Sequence, residues 1–252
     1  LISSPKFGER WARHWLDVAR FGESHGFEQD YDRKFAFHYR DFVIRSFNAD
    51  MPYDEFTRWQ IAGDELAPDD PMAMMATGFL GAGVYPTQIT ISEAERIRYD
   101  AMDDMLGTIG SAMLATTIAC ARCHDHKYDP ISQKEFYQMR AFFESDLQLK
   151  ERKLGKLTVR VMHSGKPIKT HLSVRGDFRR QGDVVSAGYP AIALPANMKP
   201  KQGQRRELAE WLTRPDNALA MRVLANRLWQ QHFFVPLATL ESFADFSSSD
   251  AF

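Results

Sequence analysis

The sequence predicts a mainly α-helical protein with a small β element in its second half. Apolar residues recur at helical spacing through most of residues 1–150. Between residues 156 and 178, apolar and polar residues alternate, which is typical of short strands. Both cysteines lie in the stretch 116–132, between two predicted long helices. We therefore expect a helical fold that holds a cysteine-containing loop between two helices.

Periodicity and composition divide the chain into four expected parts. Residues 1–150 form a helical domain that contains the cysteine loop, residues 151–200 a short segment of strands and loops, residues 201–237 a helical pair, and residues 238–252 a tail. The chain has 252 residues, of which 44% are hydrophobic, and this is enough to bury a core.

The first helix is predicted within GERWARHWLDVARFG, residues 8–22. Trp11, Trp15 and Val18 fall on one helical face, and Gly22 is expected to end the helix.

A helix pair is predicted from Phe37 onward. It breaks at Met51 and Pro52, because proline disfavours helical geometry in the residue before it. Asp54 is expected to cap the second helix of this pair.

Two capping boxes are predicted on either side of the cysteine stretch. SEAE at residues 92–95 begins a long helix that is expected to lead directly to Cys120, and SQKE at residues 132–135 begins the next helix.

The second half is predicted to contain one strand pair and two helices. The strands are KLTVRVMHSG, residues 156–165, and KTHLSVRGDF, residues 169–178, which are expected to pair with each other. The helices follow in residues 205–234, separated at Pro215, with Asn217 as the cap of the second.

Composition and charge argue against nucleic acid and membrane partners. With 32 basic and 33 acidic residues, the net charge of -1 gives no bulk attraction to DNA, RNA or an anionic bilayer. No apolar run approaches the roughly 20 residues of a transmembrane helix. The opening LISSPKFGERW has neither an initiator methionine nor a signal-peptide pattern, so the native N-terminus is expected to lie upstream.

Cys120, Cys123 and His124 form the attachment pattern of a c-type haem. Two thiols at this spacing add to the two vinyl groups on one edge of a porphyrin, and the imidazole of the next residue then lies under the iron. Haem c is the expected cofactor and His124 the expected axial ligand. The sequence leaves the sixth ligand open, and that ligand decides between electron transfer and catalysis.

Three other interpretations of the cysteine pair stay open. A thioredoxin-like redox pair has the same spacing but requires a preceding strand in a βαβ unit. A zinc ion could be held by both cysteines with His124, His126 or a distant histidine, although adjacent Cys123 and His124 reach one tetrahedral ion with difficulty. A structural disulfide is the third alternative.

Polar residues around the motif are candidates for supporting the cofactor. Arg122 and His126 could contact haem propionates or orient His124, while His126 could equally cap the loop before Pro130. In the loop GESHGFEQDYD, His25 and Glu23 are candidate catalytic residues, since binding groups are over-represented on loops.

Six blocks of the sequence resemble the family of planctomycete cytochrome c-type proteins, which are largely uncharacterised. Between residues 5 and 233 these blocks are GERWARHWLDVARFGESHGFEQD, YRDFVIRSFNADMPYDEF, QIAGDEL, CARCHDHKYDPISQKEFYQ, VRGDFRRQGDVV and NRLWQQHF. The resemblance implies covalent haem on Cys120 and Cys123 with His124 as proximal ligand. It also implies export to the periplasm or cell surface, and a redox partner protein or cytochrome domain.

The chain departs from this family in two places. The family usually has a longer insertion before VRGDFRRQG and a further helical region after NRLWQQHF. Near residues 150 and 237 the chain is therefore either that of a compact relative or lacks segments that the native protein has.

The leading functional expectation is an exported c-type haem protein that performs electron transfer or a haem-dependent oxidoreductase step. The resemblance links this activity to carbohydrate degradation, because family genes often neighbour those of carbohydrate-degrading enzymes. One rival is a haem-free zinc or iron hydrolase that uses the same histidines and carboxylates. The other is a non-catalytic binding or assembly module in which haem or a disulfide staples two helices.

Overall fold

The computed structural model confirms the mainly α fold class. It describes residues 2–27, 29–145, 148–155, 157–163, 165–166, 168–193 and 198–237. Within these residues lie eight α-helices and two antiparallel β-hairpins.

The helices and strands have the following bounds in chain order. The helices are α1 Lys6–Val18, α2 Phe37–Asn48, α3 Tyr53–Leu66, α4 Pro71–Ala76, α5 Ala94–Met113, α6 Gln133–Arg140, α7 Arg205–Leu212 and α8 Ala218–Phe233. The strands are β1 Gln148–Leu154, β2 Leu157–His163, β3 Thr170–Ser173 and β4 Gln181–Val185. No helix of the described residues is long and apolar enough to cross a membrane.

The first three helices pack around an aromatic core that contains a buried polar network. Trp15 Nε1 donates to the hydroxyl of Tyr39 at 3.0 Å and to Oε1 of Gln60 at 2.7 Å. The Tyr39 hydroxyl donates to the same Gln60 oxygen at 2.7 Å. Because buried polar groups are costly without partners, this network fixes α1, α2 and α3 relative to one another.

The C-terminal helices join the same core. Arg205 is buried and donates to both carboxylate oxygens of Asp64, at 2.9 and 2.7 Å, and to the carbonyl of Ile61 at 2.8 Å. This contact places α7 on α3, and the buried core cluster runs from Ala12 to Val223. The division of the chain into four parts stays a prediction.

The predicted end of the first helix was wrong. Helix α1 ends at Val18, not at Gly22, because Arg20 adopts a left-handed backbone with φ of 52°. The side chain of this residue pairs with α5, since Arg20 Nε lies 3.0 Å from a carboxylate oxygen of Asp104.

Two predicted caps do not form. Helix α3 begins after Pro52, and Asp54 lies in its first turn, where it pairs with Arg58 instead of capping. Helix α5 begins at Ala94 without a side-chain cap, and the hydroxyl of Ser92 contacts that of Thr90 at 3.0 Å.

The other predicted caps are confirmed. The Ser132 hydroxyl accepts from the Glu135 N–H at 3.2 Å, and the Glu135 carboxylate accepts from the Ser132 N–H at 2.7 Å. Asn217 accepts from the N–H of Ala220 at 3.2 Å, after the break at Pro215.

The strand pairing differs from the expected one. The two predicted strands do not pair with each other, because each forms its own antiparallel hairpin, β1 with β2 and β3 with β4. The partners β1 and β4 lie in sequence that lacks a clear alternation. The predicted tail, residues 238–252, lies outside the described residues.

Candidate functional site

The cysteine motif lies on a short 3₁₀-helix, Ile118–Arg122, rather than at the end of α5, which stops at Met113. Ile118 and Ala121 point into the core and are fully buried. Cys120 and Cys123 are exposed free thiols on the other side of the turn. The buried residues Ile118 and Ala121 anchor the turn in the core, and both cysteines of the turn are exposed.

The imidazole of His124 is exposed and makes one contact that selects its tautomer. Nδ1 lies 2.7 Å from the carbonyl oxygen of Asp125, so Nδ1 carries the proton and donates it. Nε2 is then the nitrogen with a lone pair. A histidine that ligates a metal through one nitrogen usually donates the other N–H to such an oxygen.

His126 caps the loop that follows the motif. Its Nδ1 accepts from the backbone N–H groups of Asp129 at 2.7 Å and Tyr128 at 3.1 Å. Its Nε2 lies 2.7 Å from the hydroxyl of Thr117. Because the described contacts occupy both ring nitrogens, His126 shapes the loop beside His124 and does not offer a lone pair to a metal.

Arg122 links the motif to α5. Its Nη1 lies 3.2 Å from Asp103 Oδ2 and 3.9 Å from Asp100 Oδ1, and its side chain is partly exposed. This guanidinium is therefore held against α5 while one face still meets solvent.

The β3–β4 hairpin is tied to the motif by two side chains of α6. The Gln133 amide donates to the carbonyls of Arg122 at 2.9 Å and Ser173 at 3.3 Å. The Tyr137 hydroxyl lies 3.0 and 3.4 Å from the same two oxygens. The backbones of the motif and of the hairpin are thus held side by side.

Gly176, at the turn of this hairpin, lies against a cysteine sulfur. Its backbone is left-handed, with φ of 75°, and a Cβ at this position would be 2.6 Å from Cys123 Sγ. Glycine is required here for two independent reasons, backbone conformation and space.

A buried ion network lies behind the motif. Beyond Arg122, the second oxygen of Asp103 is 3.5 Å from Arg140 Nη1, and Arg140 Nε is 3.3 Å from Glu144 Oε2. The other Glu144 oxygen accepts from Arg98 at 2.8 Å. Burial raises the pKa of Asp103 to about 6, against the opposing effect of the two neighbouring arginines.

Sequence reasoning did not identify Asp103, Arg140 or Gly176. A signal existed for the two charged residues, because each falls on the apolar face of its helix. Asp103 is four residues after buried Tyr99, and Arg140 is four residues after buried Phe136. Opposite charges at buried positions of two helices are expected to pair.

His25 and Glu23 lie in one loop, away from the motif. Glu23 forms a surface ion pair with Arg40. His25 lines a cavity of about 230 Å³. The other lining residues include Lys34, which precedes α2, and Glu151 of the first hairpin. The described residues that line this cavity include none of the motif residues, so the structure does not bring His25 to the cysteines.

The donor set of the motif fits a covalent haem. Two exposed thiols lie on one short turn, and the adjacent imidazole presents Nε2. A zinc site fits less well, because the described residues contain no group of three or more metal-ligating side chains that could hold an ion. The thioredoxin-like interpretation lacks its βαβ unit within the described residues, where both sheets are antiparallel hairpins.

Two family models match the chain. The model of PSCyt2, described as a protein of unknown function (DUF1549), matches residues 1–147. The model of PSD1, described as a protein of unknown function (DUF1553), matches residues 204–251. The first model covers more than half of the chain and includes the cysteine motif. No curated protein and no solved structure gives a significant match.

Proposed function

The chain belongs to the PSCyt2 family, whose function is unknown, and we propose that it is a c-type haem protein that transfers electrons. The haem is joined to Cys120 and Cys123, and His124 is its proximal ligand. The family match is consistent with the resemblance to planctomycete cytochrome c-type proteins.

One observation carries the proposal: two free thiols and a histidine with an available Nε2 share one exposed turn. A haem held there supplies a one-electron couple, whose potential depends on axial ligation, hydrogen bonding and burial. The Nδ1–H contact to Asp125 orients the proximal imidazole, and His126 holds the loop that carries this contact.

Arg122 contributes charge to the site. Its guanidinium is fixed by Asp103 yet partly exposed beside the cysteines, so it can pair with an acidic group of the cofactor or of a partner. The exposure of both thiols favours a partner that covers this face, which suits a redox protein or a cytochrome domain.

Export to the periplasm or cell surface forms part of the proposal, because haem attachment takes place on exported chains. An oxidoreductase step linked to carbohydrate breakdown is the catalytic form of the proposal. It would require an open position at the haem, and His25, which the sequence predicts for this role, lies in a separate loop away from the motif.

The first experiment is to express the chain in a host that matures c-type haem, and to record its reduced pyridine haemochrome spectrum and intact mass. We expect a c-type band and a mass increase of one haem, both lost when Cys120 and Cys123 are changed to Ala. A colourless protein of unmodified mass would overturn the haem proposal and direct attention to zinc, iron and a disulfide.

Carbon monoxide binding then distinguishes the electron-transfer form of the proposal from the oxidoreductase form. If both axial positions are filled, the reduced protein binds carbon monoxide slowly and weakly, as expected for electron transfer. Fast and complete binding would indicate an open position and would favour the oxidoreductase form.

A further inference from the structure

The carboxylate of Asp103 lies at the centre of the buried ion network, directly behind the attachment turn. Arg122 Nη1 is 3.2 Å from one oxygen of Asp103, and Arg140 Nη1 is 3.5 Å from the other. Arg122 itself lies between the two cysteines in the sequence. One side chain therefore separates Asp103 from the turn that carries the thiols.

We propose that Asp103 takes up a proton when the haem at Cys120 and Cys123 gains an electron. The inference rests on the proposed function. In the balanced step, a one-electron donor protein reduces ferric iron to ferrous iron, and one proton from solvent binds the Asp103 carboxylate. No other bond forms or breaks, and oxidation releases the proton.

The surroundings of Asp103 hold its two protonation states close in free energy. Burial opposes the charged form, because the side chain is only 11% exposed, whereas two cations oppose its neutralisation. The charged and titratable groups that act on it are Asp100 on α5, Arg122 on the 3₁₀-helix, and Tyr137 and Arg140 on α6. Tyr99 and Glu144 in turn contact Arg140.

A change of charge at the attachment turn shifts this balance. Adding an electron removes one positive charge near the network, which raises the affinity of Asp103 for a proton. The coupling is reciprocal, so protonation of Asp103 must raise the affinity of the site for the electron. The pKa of about 6 puts this exchange within the range of ordinary buffers.

Solvent reaches the network along one side. Asp100 and Arg122 are 47% and 39% exposed, and Arg122 contacts both Asp100 and Asp103. A proton therefore has a short route between solvent and Asp103 without opening of the core.

The test is the midpoint potential of the full haem-loaded chain between pH 4.5 and 8. For the wild type, the potential is expected to fall as the pH rises through a window near 6. In Asp103→Asn this dependence is lost over the same window, since an amide does not titrate there. The matched control is Asp104→Asn, which changes the neighbouring carboxylate that faces Arg20 and should keep the wild-type dependence.

A second measurement does not depend on the variants. The reduced-minus-oxidised infrared spectrum of the wild type at pH 6.5 is expected to show a protonated carboxyl band that appears on reduction. Haem attachment with a pH-independent potential and no such band would overturn the Asp103 inference alone. Failure of haem attachment would overturn the proposed function as well, so the two failures are distinguishable.

Discussion

At the scale of single residues, Gly176 bears most directly on the attachment site. It combines a left-handed backbone with a contact that leaves no room for a methyl group beside Cys123. From the sequence, a glycine packed against a side chain looks the same as a glycine in an open turn. The structure supplies that comparison, because Gly155 is also left-handed, with φ of 60°, and has no atom within 4 Å of its would-be Cβ.

Gly176→Ala is expected to change the reactivity of Cys123 and not that of Cys120. The added methyl group would lie 2.6 Å from Cys123 Sγ, so either the sulfur or the hairpin must move. Alkylation of the haem-free protein, followed by peptide mass analysis, should show a several-fold change in the ratio of the two cysteine rates. Gly155→Ala carries a similar left-handed backbone penalty of about 1–2 kcal/mol and should leave this ratio unchanged.

Asp103 makes a separate prediction about stability. Folding raises its pKa from 3.8 to about 6, so the folded state binds the proton more tightly than the unfolded state. The resulting stabilisation is fully present below pH 3.8 and is lost as the pH rises to about 6. The difference of about 2 pKa units corresponds to roughly 3 kcal/mol.

Asp103→Asn isolates this contribution. The free energy of unfolding of the variant minus that of the wild type should increase by roughly 2 kcal/mol between pH 4 and 7, since only the wild type titrates and part of the effect is already lost at pH 4. Urea unfolding of the haem-free protein at several pH values measures it. A difference that does not vary with pH would show that burial does not raise the pKa of this carboxyl.

At the scale of elements, two Ser-x-x-Glu stretches predict capping boxes and one of them forms. An N-cap residue needs an extended backbone so that its hydroxyl faces the first N–H groups of the helix. Ser132 has this conformation, with ψ of 158°. The residue before α5 is Glu93, with a helical ψ of -17°, and Ser92 lies one residue further out in a turn.

The two serines therefore provide a matched pair of substitutions. Ser132→Ala should lower the free energy of unfolding by about 1 kcal/mol, because it removes a formed N-cap. Ser92→Ala should change it by less than about 0.5 kcal/mol, as for an ordinary surface site. Denaturant midpoints measure both, and equal losses would contradict the difference between the two helix starts.

At the scale of the whole molecule, Arg205 connects parts of the chain that the sequence places far apart. It is buried, lies 141 positions from Asp64 and fixes α7 on α3. One family model matches residues 1–147, which include Asp64, and the other matches residues 204–251, which include Arg205. The ion pair therefore joins the two matched regions.

Arg205→Met is expected to destabilise the protein by about 3–5 kcal/mol, because it leaves the mostly buried carboxylate of Asp64 without its partner. Arg214→Met is the control, since Arg214 and Asp216 form a pair in which both side chains are nearly half exposed. That change should cost less than about 1 kcal/mol. A single unfolding transition that shifts with Arg205→Met would show that α7 and α3 unfold together, whereas two transitions would support separate units.

The local features of this protein could be predicted from its residues alone. Apolar periodicity places α2, α3, α6 and the helices near Pro215, and the Ser132 and Asn217 caps form as their residue types predict. The order of Cys120, Cys123 and His124 carries the haem hypothesis without any structure. These features depend on residues that are a few positions apart in the sequence, and the local backbone conformation fixes the relative positions of such residues.

Contacts between residues that are distant in the sequence could not be predicted in this way. Arg20, just after the end of α1, pairs with Asp104 on α5, and Gly176 of the β3–β4 turn lies against Cys123. Asp103 and Arg140 pair because two helices bury their charges at one place. Contacts of this kind depend on the packing of whole elements, and no local pattern of residue types specifies that packing.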